Sequence, residues 1–169
     1  MSTSTLVSVE EYLATTWRPD CDYVDGEVLE RNLGQNDHSD LQSAALVWFR
    51  ERRRALSLNA FVEQRVRIGQ RRFRIPDVVV VRLPWEKEQV FTRPPYICIE
   101  ALSPDDTLSR LQQRFDDYLA MGVENVWVID PESRRAWRIT PEGHLEARDG
   151  VLRTTDGHVA MPVADLFVP

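Results

Sequence analysis

The stretch Arg74–Arg82, RIPDVVVVR, limits the possible folds more than any other part of this chain. Four consecutive valines are β-branched and apolar throughout, the pattern of a strand covered on both faces. A strand of that kind needs a sheet with a layer on either side. A proline precedes it, and an aspartate, Asp77, stands at its mouth. Burying an unpaired carboxylate costs several kcal/mol or forces the group to protonate. Asp77 therefore requires a partner.

Periodicity supplies the layers. Residues 8–16, SVEEYLATT, read as a short helix with Ser8 as N-cap and Glu11 completing a capping box. Residues 22–31 alternate around Asp25-Gly26, a hairpin turn signal. Asp37 to Arg54 has Leu41, Ala44, Ala45, Trp48 and Phe49 at helical spacing. Phe61 to Ile68 alternates as a strand, GQRRF is its turn, and Ile75–Arg82 and Tyr96–Leu102 follow as strands. Thr107 to Met121 is a second long helix striped by Leu108, Leu111, Phe115, Tyr118 and Leu119, and Gly122 ends it. VENVWVIDP is another buried strand, RRAWRIT opens a hairpin extension, and MPVADLF closes the chain. The order, roughly αββαβββαβββ, predicts an α/β (α+β) fold with a central mixed β-sheet flanked by the two long helices. Helix 107–121 is expected to be the right-handed crossover between strands 96–102 and 124–130.

At 169 residues, 43% hydrophobic and 28% charged, the chain fits a single domain spanning 1–169 with a real core. The beginning lacks a basic segment followed by an apolar one, so no signal peptide is expected, and no apolar run reaches membrane-spanning length. Cys21 and Cys98 form no paired motif, which points to a reduced, cytoplasmic setting. The net charge of −6 argues against generic nucleic-acid binding. The charge is uneven, however: residues 50–74 hold nine arginines against two acids, so the remainder carries thirteen net negative charges. Such a patch, with Arg71, Arg72 and Arg74 as candidate nucleic-acid contacts, can steer a phosphate backbone locally. It reads equally as a solvated helix face plus a polar hairpin.

Glu100 raises the question of Asp77 again, since it stands among apolar residues in YICIEAL. A hairpin through residues 83–95 would bring the two carboxylates together. Two semi-buried carboxylates do not both ionise without a cation. Hard oxygen donors without a His or Cys cluster suit Mg²⁺ or Mn²⁺, and the scattered histidines 38, 144 and 158 disfavour zinc. The alternative is that both acids pair with arginines.

Pro76-Asp77, then Glu100-Ala101-Leu102 after twenty-two residues, resembles the PD-(D/E)XK nuclease core. Together with YVDGEVLE, ICIEALSPDD, QQRFDDYLAMGVENVWVIDP and MPVADLF, it resembles a bacterial restriction endonuclease family of that superfamily over nearly the whole chain. The resemblance implies a restriction-endonuclease-like core and a metal-dependent endonuclease acting on DNA phosphodiesters. It implies Asp77, Glu100 and the Ala101 carbonyl as ligands of Mg²⁺ or Mn²⁺. Leu102 stands where the superfamily has a lysine; the matching basic residue is Arg114, four before Tyr118, or the lone lysine, Lys87. His38 resembles a histidine that recurs at this place in the family; it reads first as a capping or surface residue, with a side chain facing the cleft as the alternative. Glu63 is a further candidate carboxylate or a partner of Arg65 or Arg67. Cutting both strands of a duplex implies a homodimer. A catalytically degenerate module that binds nucleic acid or a protein partner is the competing class, and Leu102 favours it.

Overall fold

The computed structural model describes residues 6–31 and 36–167. Helix α1 (Val9–Ala14) begins at Ser8, whose hydroxyl accepts the Glu11 amide. Strands β1 (Cys21–Val24) and β2 (Glu27–Glu30) form a hairpin around Asp25 and Gly26, both at positive φ (53° and 106°) as a tight primed turn requires. Helix α2 (Asn36–Glu51) and the single turn α3 (Arg53–Leu56) lead into β3 (Leu58–Val62), β4 (Val66–Gly69), β5 (Arg72–Arg74), β6 (Val78–Arg82) and β7 (Ile97–Ala101). Helix α4 (Leu108–Met121) connects β7 to β8 (Asn125–Ile129). Strands β9 (Ala136–Thr140), β10 (Gly143–Glu146), β11 (Val151–Arg153) and β12 (Ala160–Pro162) and a 3₁₀ turn, Val163–Phe167, complete the chain.

Six strands in the order β10-β9-β8-β7-β6-β3 make the central mixed sheet, in which β7 and β8 run parallel. A second sheet, β2-β1-β5-β4, is antiparallel, and β11 pairs with β12. The expected mixed sheet between helices is what forms. Val78 and Val80 of β6 and Ile97 and Ile99 of β7 pack with Leu41, Ala45, Trp48 and Phe49 of α2. Val79, Val81 and Cys98 pack on the opposite face with Leu111, Phe115 and Tyr118 of α4. The valine run is thus covered on both sides.

Phe61–Ile68 is not one strand. Glu63 takes a left-handed conformation (φ 50°), and the chain turns a corner there, leaving the six-stranded sheet after β3 and entering the four-stranded one at β4. The first long helix likewise stops at Glu51, with α3 as a separate turn. Helix α4 keeps its expected ends: the Thr107 side chain accepts the Arg110 amide and Gly122 closes it at φ 96°. Among the described residues, no helix is long and apolar enough to cross a membrane. Both cysteines are free and buried.

Candidate active site

Side chains alternate along a strand, so Glu100, two residues after Cys98, faces α4. Asp77, two residues before Val79, lies on the same side. Antiparallel pairing puts Val78 opposite Ile99, which brings the start of β6 to the end of β7. The two acids therefore meet at one end of the hairpin. Both are buried, at 2% and 1% exposure, so each needs its charge matched.

Asp77 is matched by three donors. Its Oδ2 accepts the Ala101 amide at 2.8 Å and lies 3.2 Å from His38 Nε2, while its Oδ1 accepts from Arg31 Nη2. Gln42 of α2 holds the Asp77 carbonyl at 2.9 Å. Burial pushes the Asp77 carboxyl up, but the His38 hydrogen bond and the Arg31 charge outweigh it and hold the group below its ordinary 3.8. The same hydrogen bond raises the His38 imidazole, against its burial.

Glu100 is matched less fully. Tyr118 donates to its Oε1 at 2.5 Å, and Arg114 Nη1 stands 3.3 Å from its Oε2. Burial pushes this carboxyl up to about 7; Arg114 pulls it down, and the nearby Asp77 charge pushes it up further. One acid is thus ionised at neutral pH while the other is poised near it, a separation typical of sites that handle protons or cations.

Arg114 also reaches Asp22 of β1, Nε to Oδ2 at 3.4 Å. From Asp22 a ladder of charge runs away from the site, buried at Arg74 and Asp117 and reaching the surface at Asp25. Arg74 Nη1 donates to Asp22 Oδ2 at 2.9 Å, and Arg74 Nε to Asp117 Oδ2 at 2.7 Å. Arg72 then joins Asp117 at 2.8 Å to Asp25 at 2.6 Å. Helix α4 binds both systems, Tyr118 and Arg114 toward Glu100 and Asp117 toward β5. A cleft of about 610 Å³ is lined by four arginines, Arg31, Arg74, Arg110 and Arg114, and by four acids, Asp22, Glu30, Asp105 and Asp106.

The structure brings Asp77, Glu100, Ala101, His38 and Arg114 together. His38 points at Asp77 and lines the narrow gap beside it, rather than capping α2 at the surface. Glu63 comes close only through its backbone, whose N–H donates to the Asp77 carbonyl at 3.4 Å; its side chain is exposed. Lys87 does not join them: it is exposed in the loop between β6 and β7, at the end of those strands opposite the carboxylates. Arg74 is 2% exposed, and Arg72 is tied to two aspartates, so neither forms a free surface patch. Their charge is spent inside the fold. Arg71 stays exposed, donating to the Asp25 carbonyl at 3.2 Å. Leu102 packs in the α4 cluster, so the position of the superfamily's lysine is apolar.

Sequence reasoning missed Arg31, Asp22 and the polar role of Tyr118. Asp22 carried the same signal as Asp77, an acid between Cys21 and Tyr23 in a strand buried at all four positions. Arg31 gave no local signal, because its partner lies forty-six residues away.

The oxygen donors of Asp77, Glu100 and the Ala101 backbone suit a hard divalent cation in kind. Among the described residues, no group of three or more His, Cys, Asp and Glu side chains could hold a metal ion.

Solved structures share the fold. A "putative nuclease belonging to DUF820" from Anabaena variabilis ATCC 29413 superposes with a TM-score of 0.80 over 95% of this chain and 97% of that one, at 22% identity. No curated protein matches the chain. The Uma2 family, described as "Putative restriction endonuclease", matches residues 9–163, from α1 through both carboxylate strands to the last strand, and the chain belongs to that family.

Proposed function

We propose that the chain is a metal-dependent endonuclease that hydrolyses DNA phosphodiester bonds at the Asp77–Glu100 end of the β6–β7 hairpin. The observation that carries this reading is the pair of buried carboxylates on one sheet face, one held below its ordinary value and one pushed up to about 7, beside a cleft that Arg114 lines. Asp77, Glu100 and the Ala101 carbonyl would hold Mg²⁺ or Mn²⁺. Such an ion supplies Lewis acidity, lowering the pKa of a water and stabilising charge on a phosphoryl oxygen.

The chain's own residues do the rest. Tyr118 and the Ala101 amide fix the two carboxylates in place. Arg114 lines the cleft and presents a fixed positive charge next to Glu100, where a phosphate's developing negative charge is stabilised. It stays protonated and so serves as an electrostatic group, not a base. His38, bonded to Asp77 in the gap beside it, and Glu100, pushed up to about 7, are groups able to give or take a proton near neutral pH. A two-fold pair of chains would supply one site per strand.

The apolar Leu102 favours a second reading, a module that binds DNA or a partner without cutting. Supercoiled plasmid with Mn²⁺ separates the two. Asp77→Asn, nearly isosteric, is expected to lower cleavage on the order of a thousandfold with DNA binding retained. Linear product would indicate paired sites, and nicked circles a lone one. Wild-type binding without metal-dependent cleavage would move the chain to the second reading.

A further inference from the structure

Arg31 is attached to the site in an unusual way. It follows β2 directly and is mostly buried, with its side chain 11% exposed. A guanidinium built purely to brace a carboxylate usually grips both oxygens with two parallel N–H bonds. Here Nη2 alone reaches Asp77 Oδ1, and the buried Nε finds no hydrogen-bond partner among the described residues. Asp77 does not depend on Arg31 for its position, because Oδ2 is already held by the Ala101 amide and His38. Arg31 also lines both the narrow gap at Asp77 and the adjoining cleft of about 610 Å³, so its head group has somewhere to go.

The charges fit the same account. Asp77 and Glu100 face two guanidiniums, Arg31 and Arg114, so the acids are neutralised by the protein itself. A divalent ion entering beside them adds positive charge next to a cation already on Oδ1. Both cannot keep that oxygen.

We propose that Arg31 is an exchangeable counter-ion: it neutralises Asp77 in the metal-free protein and gives up Oδ1 to the divalent ion, moving into the cleft. This rests on the reading that Asp77 and Glu100 take a metal. It assigns Arg31 a part in the site that neutralises the empty carboxylate and lowers metal affinity. Arg114, held between Glu100 and Asp22, stays in place during the exchange.

Mn²⁺ alone, without DNA, is the probe, followed by calorimetry on wild type, Arg31→Gln and Asp77→Asn. Removing the competing charge is expected to tighten Mn²⁺ binding by about tenfold or more. Equal or weaker binding by Arg31→Gln, with wild type binding well, would overturn the exchange and leave the metal reading intact. No binding by either protein would overturn both. Because Arg31→Gln has a chance of misfolding, the wild-type protein offers a second measurement. The Nε–H NMR signal of Arg31 should shift with Mg²⁺ in step with saturation. A signal that stays put while the site fills excludes the exchange.

Discussion

Arg74 and Arg31 are both buried arginines facing aspartates, yet they are built differently. Arg74 lies between Asp22 and Asp117 with bonds of 2.9 and 2.7 Å, and the second oxygen of Asp22 accepts the Ile75 amide at 3.0 Å. Both arginines line the cleft of about 610 Å³, and each keeps one buried nitrogen without a hydrogen bond among the described residues. Arg31, however, bonds a single acid, through one nitrogen, and also lines the gap at Asp77, which Arg74 does not. The first arrangement staples α4 to the four-stranded sheet. The second leaves a carboxylate whose partner has room to leave. Buried charge by itself therefore does not mark a functional site. The mark is a buried acid held by a single-point contact from a cation beside open volume, where a second cation has room to compete for the same oxygen.

The largest expected effect tests the first half of that comparison. Arg74→Met leaves Asp22 and Asp117 buried with part of their charge uncompensated, and breaking a buried pair from one side costs about 3–5 kcal/mol. Arg31→Gln should cost less than about 2 kcal/mol, since Asp77 keeps two donors and cleft water can replace the third. Urea unfolding of the metal-free proteins measures both. Equal losses would erase the distinction between staple and site.

Much of this was legible in the sequence, for identifiable reasons. The valine run, the Asp25-Gly26 turn and the stripe of α4 are local patterns, and each formed where expected except that Leu108, in the helix's first turn, stays 87% exposed while Leu111, Phe115, Tyr118 and Leu119 pack on the sheet. Asp77 and Glu100 stood out because a charge inside an apolar strand conflicts with its neighbours. The arginines were harder. Residues 50–74 look like one basic patch, but what each arginine does depends on partners far along the chain: Arg74 answers Asp22 and Asp117, and Arg72 answers Asp117 and Asp25. Sequence spacing holds no record of those pairings. Nor does it show that β4 belongs to a different sheet from β3, which depends on a left-handed Glu63.

Arg114 belongs to both systems, bonded to Glu100 on one side and Asp22 on the other, so it separates their contributions. If it stabilises charge on the phosphate, Arg114→Ala should lower turnover by about a hundredfold, the scale of one preorganised donor. Mn²⁺ binding should persist, because Arg114 is not a ligand. Arg114→Lys should recover part of the rate if charge is what counts, and little if the planar fork is. Normal cleavage by Arg114→Ala would confine the residue to the ladder. Loss of Mn²⁺ affinity along with turnover would mean that it acts by holding Glu100.

The smallest effect separates the two acids of the site by pH. Glu100 binds its proton more tightly in the fold than in the open chain, at about 7 against 4.5, because burial outweighs Arg114. The folded state then carries more protons than the unfolded one in that interval, so stability falls as pH rises through it. His38, raised by Asp77, acts in the same direction: its contribution is complete below its ordinary 6.5 and is lost as pH climbs through the folded value. Asp77 has the opposite sign. It is held below 3.8, so its contribution is present above that value and lost only in stronger acid. The metal-free protein should therefore lose stability between about pH 5 and about pH 8, and Glu100→Gln should flatten that slope. Mn²⁺ affinity should run the other way, rising with pH over the same interval, because Glu100 must ionise to serve as a ligand. Urea midpoints in chelator and Mn²⁺ isotherms across that range measure the two trends. An affinity independent of pH would remove Glu100 from the ligand set while leaving Asp77 in place.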